Sequence, residues 1–182
     1  MRTRKIIMRI SNSLRLLTIC VLVGLLSSSC RKPVRFPKEL YLEFVSLTVI
    51  DNGTFVDEKA KLVLYFTDGD GNIGLDETFD RPPFDTGSVY YNNFFVNYYA
   101  KRNGEFVLFP EISDFFKARL PRFLSSDTPE PLEGEIERIL DVRNIQLTAP
   151  AIDTIKFECW IVDRDLNESN HVFTNEIIVR NR

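Results

Sequence analysis

The chain is short of the residues that most often carry chemistry. It has one histidine, His171, one tryptophan and three cysteines in 182 residues. A single imidazole cannot assemble a zinc centre without other strong donors. It also leaves one candidate base for a Ser-His-Asp arrangement, with no nucleophile motif beside it. His171 reads as a partly exposed residue at the start of the last strand. The glycine patterns that cradle phosphates, G-x-x-x-x-G-K-[ST] and G-x-G-x-x-G, are absent. Acidic residues are plentiful, but they sit in turns and not in an evident cleft. Together these absences point away from an enzyme.

Cysteine is scarce where it would count. Cys20 lies inside an N-terminal apolar run and Cys30 just beyond it, so Cys159 stands alone in the body, where no internal disulfide can form. Cys159 alternates with Ile155, Phe157 and Ile161 and reads as a buried core thiol, without the basic neighbour that would activate it. A membrane-spanning run is also missing. Leu16 to Leu26 is apolar apart from Thr18 and Gly24, but as a helix it would rise only about 16 Å against a hydrocarbon core of about 30 Å. Basic charge is scarce in the body. The first 29 residues hold Arg2, Arg4, Lys5, Arg9 and Arg15 and no acid; without these five the 23 basic residues become 18 against 26 acidic, a net charge of −8. Such a body is a poor match for a nucleic-acid backbone and is compatible with divalent cations.

What is present begins with an address. The order is basic residues, an apolar run, then Ser27, Ser28, Ser29 and Cys30. That is the order of a secretory signal, and Met8 would still leave a basic region if it were the start. The end of this segment resembles a bacterial lipobox. Cys30 stands where the lipid-modified residue falls and Ser29 where a small residue precedes it. Ser27 occupies the usual leucine position, with Leu26 one place further away. The resemblance implies removal of residues 1–29, acylation at Cys30, a tether over residues 30–38, and a lipid anchor in the outer membrane. The tether is basic and not acidic, which favours the periplasmic face.

The body, residues 39–182, alternates with period two. Segments 39–51, 60–68, 93–102, 105–111, 134–142, 153–163 and 171–179 read as strands, with a phase slip near Phe44 and Val45 that suggests a bulge. Asn103-Gly104 marks a tight hairpin, because both residues tolerate positive φ. One short helix is expected over Ile112 to Leu120, ended by Pro121. About seven strands, long loops and no long helix predict an all-β, antiparallel immunoglobulin-like β-sandwich.

The stretch "DGDGN" offers Asp68, Asp70 and Asn72 at alternate positions. Calcium takes six to eight oxygens, and glycines let such a loop curve around one. An EF-hand would need Gly and Glu where Ile73 and Phe79 stand, so this is not one. A second acidic stretch, "VDRDLNES", adds Asp163, Asp165, Asn167 and Glu168. If both loops follow the B and F strands of a sandwich, they share one pole. Four aspartates there would repel unless a cation or Arg164 lies between them. Asp, Asn and Gly are also the ordinary residues of tight turns, so the sequence leaves calcium and a purely structural turn both open.

The combination of a lipobox, "FTDGDGNIG", "YYAKRNGEF", "GEIE" and "DRDLNESN" followed by "TNEI" resembles a group of uncharacterised Bacteroidota lipoproteins. The resemblance spans most of residues 39–179. It implies a non-catalytic, immunoglobulin-like envelope domain and supplies no activity. Two functions follow as expectations. One is a lipid-anchored protein that binds or scaffolds another envelope component. The other is a carbohydrate-binding accessory module, with exposed rings from the 89–109 cluster and Ca²⁺ holding sugar hydroxyls. A row of exposed rings beside the acidic pole would favour the sugar; a flat apolar patch would favour a protein partner.

Overall fold

The computed structural model describes residues 36–78, 80–124, 128–143 and 152–180. The expected signal, Cys30 and most of the tether lie outside these residues. Among the described residues, eight strands form two antiparallel sheets. They are β1 (Tyr41–Ile50), β2 (Lys59–Asp68), β3 (Phe94–Arg102), β4 (Glu105–Leu108), β5 (Leu132–Asp141), β6 (Ile152–Ile161), β7 (Val172–Phe173) and β8 (Ile177–Arg180). The first sheet runs β1-β2-β5; the second runs β4-β3-β6-β7, with β8 also paired to β6. This is the A-B-E and C′-C-F-G division of an immunoglobulin-like sandwich.

Alternation drives the packing. Leu62, Leu64 and Phe66 of β2 face Phe94, Val96 and Tyr98 of β3 and Phe157, Cys159 and Ile161 of β6 in one shared core. The opposite faces of the same strands carry Lys61 and Tyr65 on one sheet and Phe95, Asn97 and Tyr99 on the other. The expected phase slip is there: the β1–β2 register shifts between Phe44 and Ser46, leaving Val45 exposed. The expected hairpin is there too, with Asn103 and Gly104 both at positive φ between β3 and β4.

Two expectations need correction. The helix is shorter and earlier than 112–120. It consists of α1 (Pro110–Ser113) followed by a 3-10 turn, Asp114–Phe116. Pro110 is at home in the first helical turn. Beyond Phe116 the chain extends because Ala118 exchanges two backbone hydrogen bonds with Phe94, both 2.9 Å, and so lengthens the sheet beyond β3. The last strand is also two strands, interrupted at Thr174–Glu176. There the Thr174 hydroxyl accepts the Phe157 amide at 3.0 Å, while the Thr174 amide donates to the Phe157 carbonyl at 2.9 Å. The hydroxyl replaces a main-chain acceptor, so pairing continues while the ladder breaks.

Chain direction sets the poles. β2 and β6 both end at the pole where β1, β3 and β5 begin. The loops after Asp68 and after Ile161 lie side by side, joined by a hydrogen bond from Asn72 to Asp165. Asn170 closes this end by accepting the Leu42 amide at 2.8 Å and donating to the Leu42 carbonyl at 2.9 Å. A side-chain amide thus acts as one residue of a strand and links β1 to the segment entering β7.

Candidate functional site

The two acidic loops meet as the sandwich topology suggested, and each is folded by its first aspartate. Asp68 is fully buried. Its Oδ1 accepts the amides of Gly71 at 3.0 Å and Asp70 at 3.3 Å, and its Oδ2 accepts that of Ile73 at 2.8 Å. Asp163, also buried, uses Oδ1 for the amides of Asp165 and Asn167, both 2.8 Å, and Oδ2 for the Asn167 side chain at 2.9 Å. A carboxylate that accepts several amides wraps the chain around itself. The glycines are needed for the same reason. Gly71 and Gly74 have φ of +68° and +88°, and a Cβ at either would run into the carbonyl of Glu130 or Pro121. Pro121 and Glu130 therefore lie against the first loop, and the Leu75 amide donates to the Leu120 carbonyl.

The second residues of each set join the loops. Asn72 donates from Nδ2 to Asp165 Oδ2 at 2.9 Å. Arg164 turns toward the first loop, but to its carbonyls and not its carboxylates. Its guanidinium lies 3.1 Å from the Gly74 oxygen and 3.4 Å from those of Ile73 and Gly71. Asp70 lines a cleft of about 570 Å³ with Lys38, Glu39, Leu40, Leu166, Asn167 and Glu168. Burial, a hydrogen bond with Asp68, and the charges of Asp68 and Asp165 hold the Asp70 carboxyl above its ordinary range. Of the five residues expected to hold calcium, then, Asp68 and Asp163 are engaged by their own loops. Asp70, Asn72 and Asp165 are the group with capacity to spare. Among the described residues, no three acidic, histidine or cysteine side chains form a metal-holding group.

A second constellation escaped the sequence reading. On the outward face of the second sheet, Glu158 accepts hydrogen bonds through Oε2 from Asn97 at 2.9 Å and Tyr99 at 2.8 Å. Its Oε1 lies 2.9 Å from His171 Nδ1, and His171 Nε2 lies 2.8 Å from Glu168. Two carboxylate partners require two N–H donors, which only the imidazolium supplies. Burial disfavours that charge, but the bonds and charges of Glu158 and Glu168 outweigh it and raise the His171 pKa. Burial likewise pushes Glu158 up, while the bonds from Asn97, His171 and Tyr99 carry it below its usual range. The ring of His171 stacks on Trp160 at 4.5 Å and 6°, and Phe95 stacks on Trp160 at 5.3 Å from the neighbouring strand. The signal was present in part: Glu158 and Trp160 alternate with the core residues of β6. What the sequence could not show was that the chain returns to lay His171 over them.

The rest of that face is apolar around one cation. Lys156 lies over the rings of Phe106 at 4.4 Å, Phe173 at 5.1 Å and Tyr99 at 5.8 Å. Phe173 is 50% exposed and Ile178 62%, with Leu108 exposed on β4. Cross-strand register places Leu108, Tyr99, Lys156, Phe173 and Ile178 on this one face. The outward face of the first sheet mixes exposed Tyr41 and Ile139 with paired charge, Lys61 bridging Glu137 at 2.7 Å and the Tyr65 hydroxyl donating to Glu133 at 2.6 Å. Cys159 is fully buried as expected, and burial pushes its thiol up to about 12.

No protein-family model matches the chain, and no curated protein matches it. Among solved structures it is similar to the X-ray structure of Northeast Structural Genomics Consortium target SoR45. The identity is 8% and the TM-score 0.22, over 80% of this chain and 89% of that one. A likeness that weak carries no argument about fold or function.

Proposed function

We propose that this chain is a non-catalytic, lipid-anchored envelope domain that binds another envelope protein through the outward face of its second sheet. The observation that carries the proposal is the clustering of exposed apolar residues on the second sheet, where Phe173, Ile178 and Leu108 stand in water around a ring-enclosed Lys156. Protein interfaces are enriched in rings and depleted of charge at their centre, and clustered exposed apolar residues mark interaction surfaces. The anchor is proposed from the N-terminal order of basic, apolar and small residues before Cys30, with the outer membrane and its periplasmic face as the location.

The sugar-binding alternative draws less support from the same face. Register puts Phe95 and His171 on opposite sides of β6, so both faces of the Trp160 ring are already stacked. A sugar platform needs an open ring face. Photo-crosslinking in native membranes separates the readings. A photoreactive residue at position 173 is expected to give a discrete protein adduct, weakened by Ile178→Glu, while one at the exposed Phe55 gives none. Equal labelling from both positions, or selective binding on a glycan array, would overturn the proposal. Loss of labelled fatty acid in Cys30→Ser tests the anchor separately.

A further inference from the structure

The acidic pole contains buried oxygens that nothing among the described residues satisfies. Asp70 Oδ1 and Asn72 Oδ1 are shut off from solvent and accept no hydrogen bond. Asn72 is only 8% exposed, and its orientation is fixed, because Nδ2 donates to Asp165 Oδ2 at 2.9 Å. Rotating the amide would set its oxygen against that carboxylate. Orphaned acceptors in the interior are rare in native proteins and call for an explanation. Here two of them adjoin a third oxygen donor, Asp165, whose charge acts on Asp70. Among the described residues no Lys, Arg or His nitrogen pairs with Asp70 or Asp165. Arg164, the nearest basic residue in sequence, spends its donors on the carbonyls of Gly71, Ile73 and Gly74.

We propose that Asp70, Asn72 and Asp165 together bind a divalent cation, and that the cation is calcium. Every available donor is a hard oxygen, which suits calcium or magnesium and not zinc or copper. Direct coordination by the buried Asn72 and Asp70 oxygens asks the ion to shed water, which magnesium does reluctantly, whereas calcium accepts irregular shells completed by water. The adjoining cleft, lined by Asp70, Asn167 and Glu168, gives water that access. Asp68 and Asp163 act as positioning residues: by folding the two loops they present the donors. With two carboxylates the expected dissociation constant is on the order of 10⁻⁴–10⁻³ M, the range of extracellular calcium modules. The site is independent of the apolar sheet face and stands or falls separately from it.

The test is calorimetric titration of the chelator-treated full chain with calcium chloride, and in parallel with magnesium chloride, together with thermal melting. One saturable calcium site, a raised melting midpoint and weaker magnesium binding are expected. Asp70→Asn and Asp165→Asn should each weaken calcium binding at least tenfold. Asp70→Asn should melt no lower than the parent without metal, because the carboxylate it replaces accepts no hydrogen bond through Oδ1. Absence of both heat and a melting shift at about 10 mM calcium, tenfold above the weakest constant expected, would overturn the proposal. So would unchanged calcium affinity in a folded Asp70→Asn.

Discussion

Replacing Asp68 by alanine offers the sharpest test of how the acidic pole is built. The substitution strips an acceptor from two buried amides, those of Gly71 and Ile73, held at 3.0 and 2.8 Å, and from a weaker third at Asp70. Hydrogen bonds to a charged acceptor contribute about 1.5–3 kcal/mol each, and a donor left unpaired inside adds to the loss. Two such bonds give about 3–6 kcal/mol of destabilisation, with the 3.3 Å contact discounted. For a domain of this size that is a fall in melting temperature of roughly 10–20 °C. The assay is urea unfolding followed by the fluorescence of Trp160, the single tryptophan, with the chain kept metal-free by chelator. Asp70→Asn is the matched control. It lies two residues away in the same loop, yet it should leave the midpoint unchanged or raise it, since it relieves a buried carboxyl of its repulsion by Asp68 and Asp165. If Asp68→Ala costs under about 1 kcal/mol, where ordinary surface substitutions fall, Asp68 does not fold the loop. Equal losses in the two variants would refute the division of labour between them.

Three further outcomes follow from the same structure. The raised pKa of His171 means that the folded state holds its proton more tightly than the unfolded chain. The stabilisation is therefore complete below the unfolded value of about 6.5 and fades as pH rises through the folded value. A pH titration of Trp160 fluorescence should show one inflection above pH 6.5 that His171→Ala abolishes; an inflection that survives the substitution would refute the assignment. Cys159 should resist a thiol reagent in the native state and react only at the rate of unfolding, given its burial and a thiol pushed up to about 12; fast native labelling would contradict this. Asn170→Ala should cost about 2 kcal/mol by removing two hydrogen bonds to Leu42 at 2.8 and 2.9 Å, read as a lower urea midpoint, and a change under 0.5 kcal/mol would count against the clasp.

The fold was legible because it rests on period-two alternation and turn chemistry. Leu62, Leu64 and Phe66 announce a buried face by their spacing, and Asn103-Gly104 announces its hairpin by backbone freedom alone. What could not be read were the places where a side chain substitutes for the backbone. Thr174 and Ser169 give hydroxyls to the amides of Phe157 and Ile161, both at 3.0 Å. These bonds depend on register between segments distant from any local signal, so an apparently continuous last strand becomes two. The 112–120 segment failed for a related reason. Its apolar spacing suits a helix, but Ala118 gains two sheet hydrogen bonds with Phe94 by extending, and tertiary pairing outweighs a short stretch of propensity.

The acidic loops show the limit most clearly, because the same residue type does opposite work two positions apart. Asp68 and Asp70 are indistinguishable by composition and flank the same glycine. What separates them is the phase of β2. Asp68 is its last residue and continues the inward-facing series of Leu64 and Phe66, so its carboxylate enters the buried side and must find amides there. Asp70 falls beyond the strand, on the turn that Asp68 creates, and its Oδ1 is buried without a hydrogen-bond partner, within reach of the charges of Asp68 and Asp165. Asp163 and Asp165 repeat the arrangement after β6. The alternate spacing that first suggests five ligands is thus two folding aspartates and a smaller donor set. That set is visible only once the strand endings are known, since it is the endings that decide which carboxylate is consumed by the chain and which is left with an oxygen to spare.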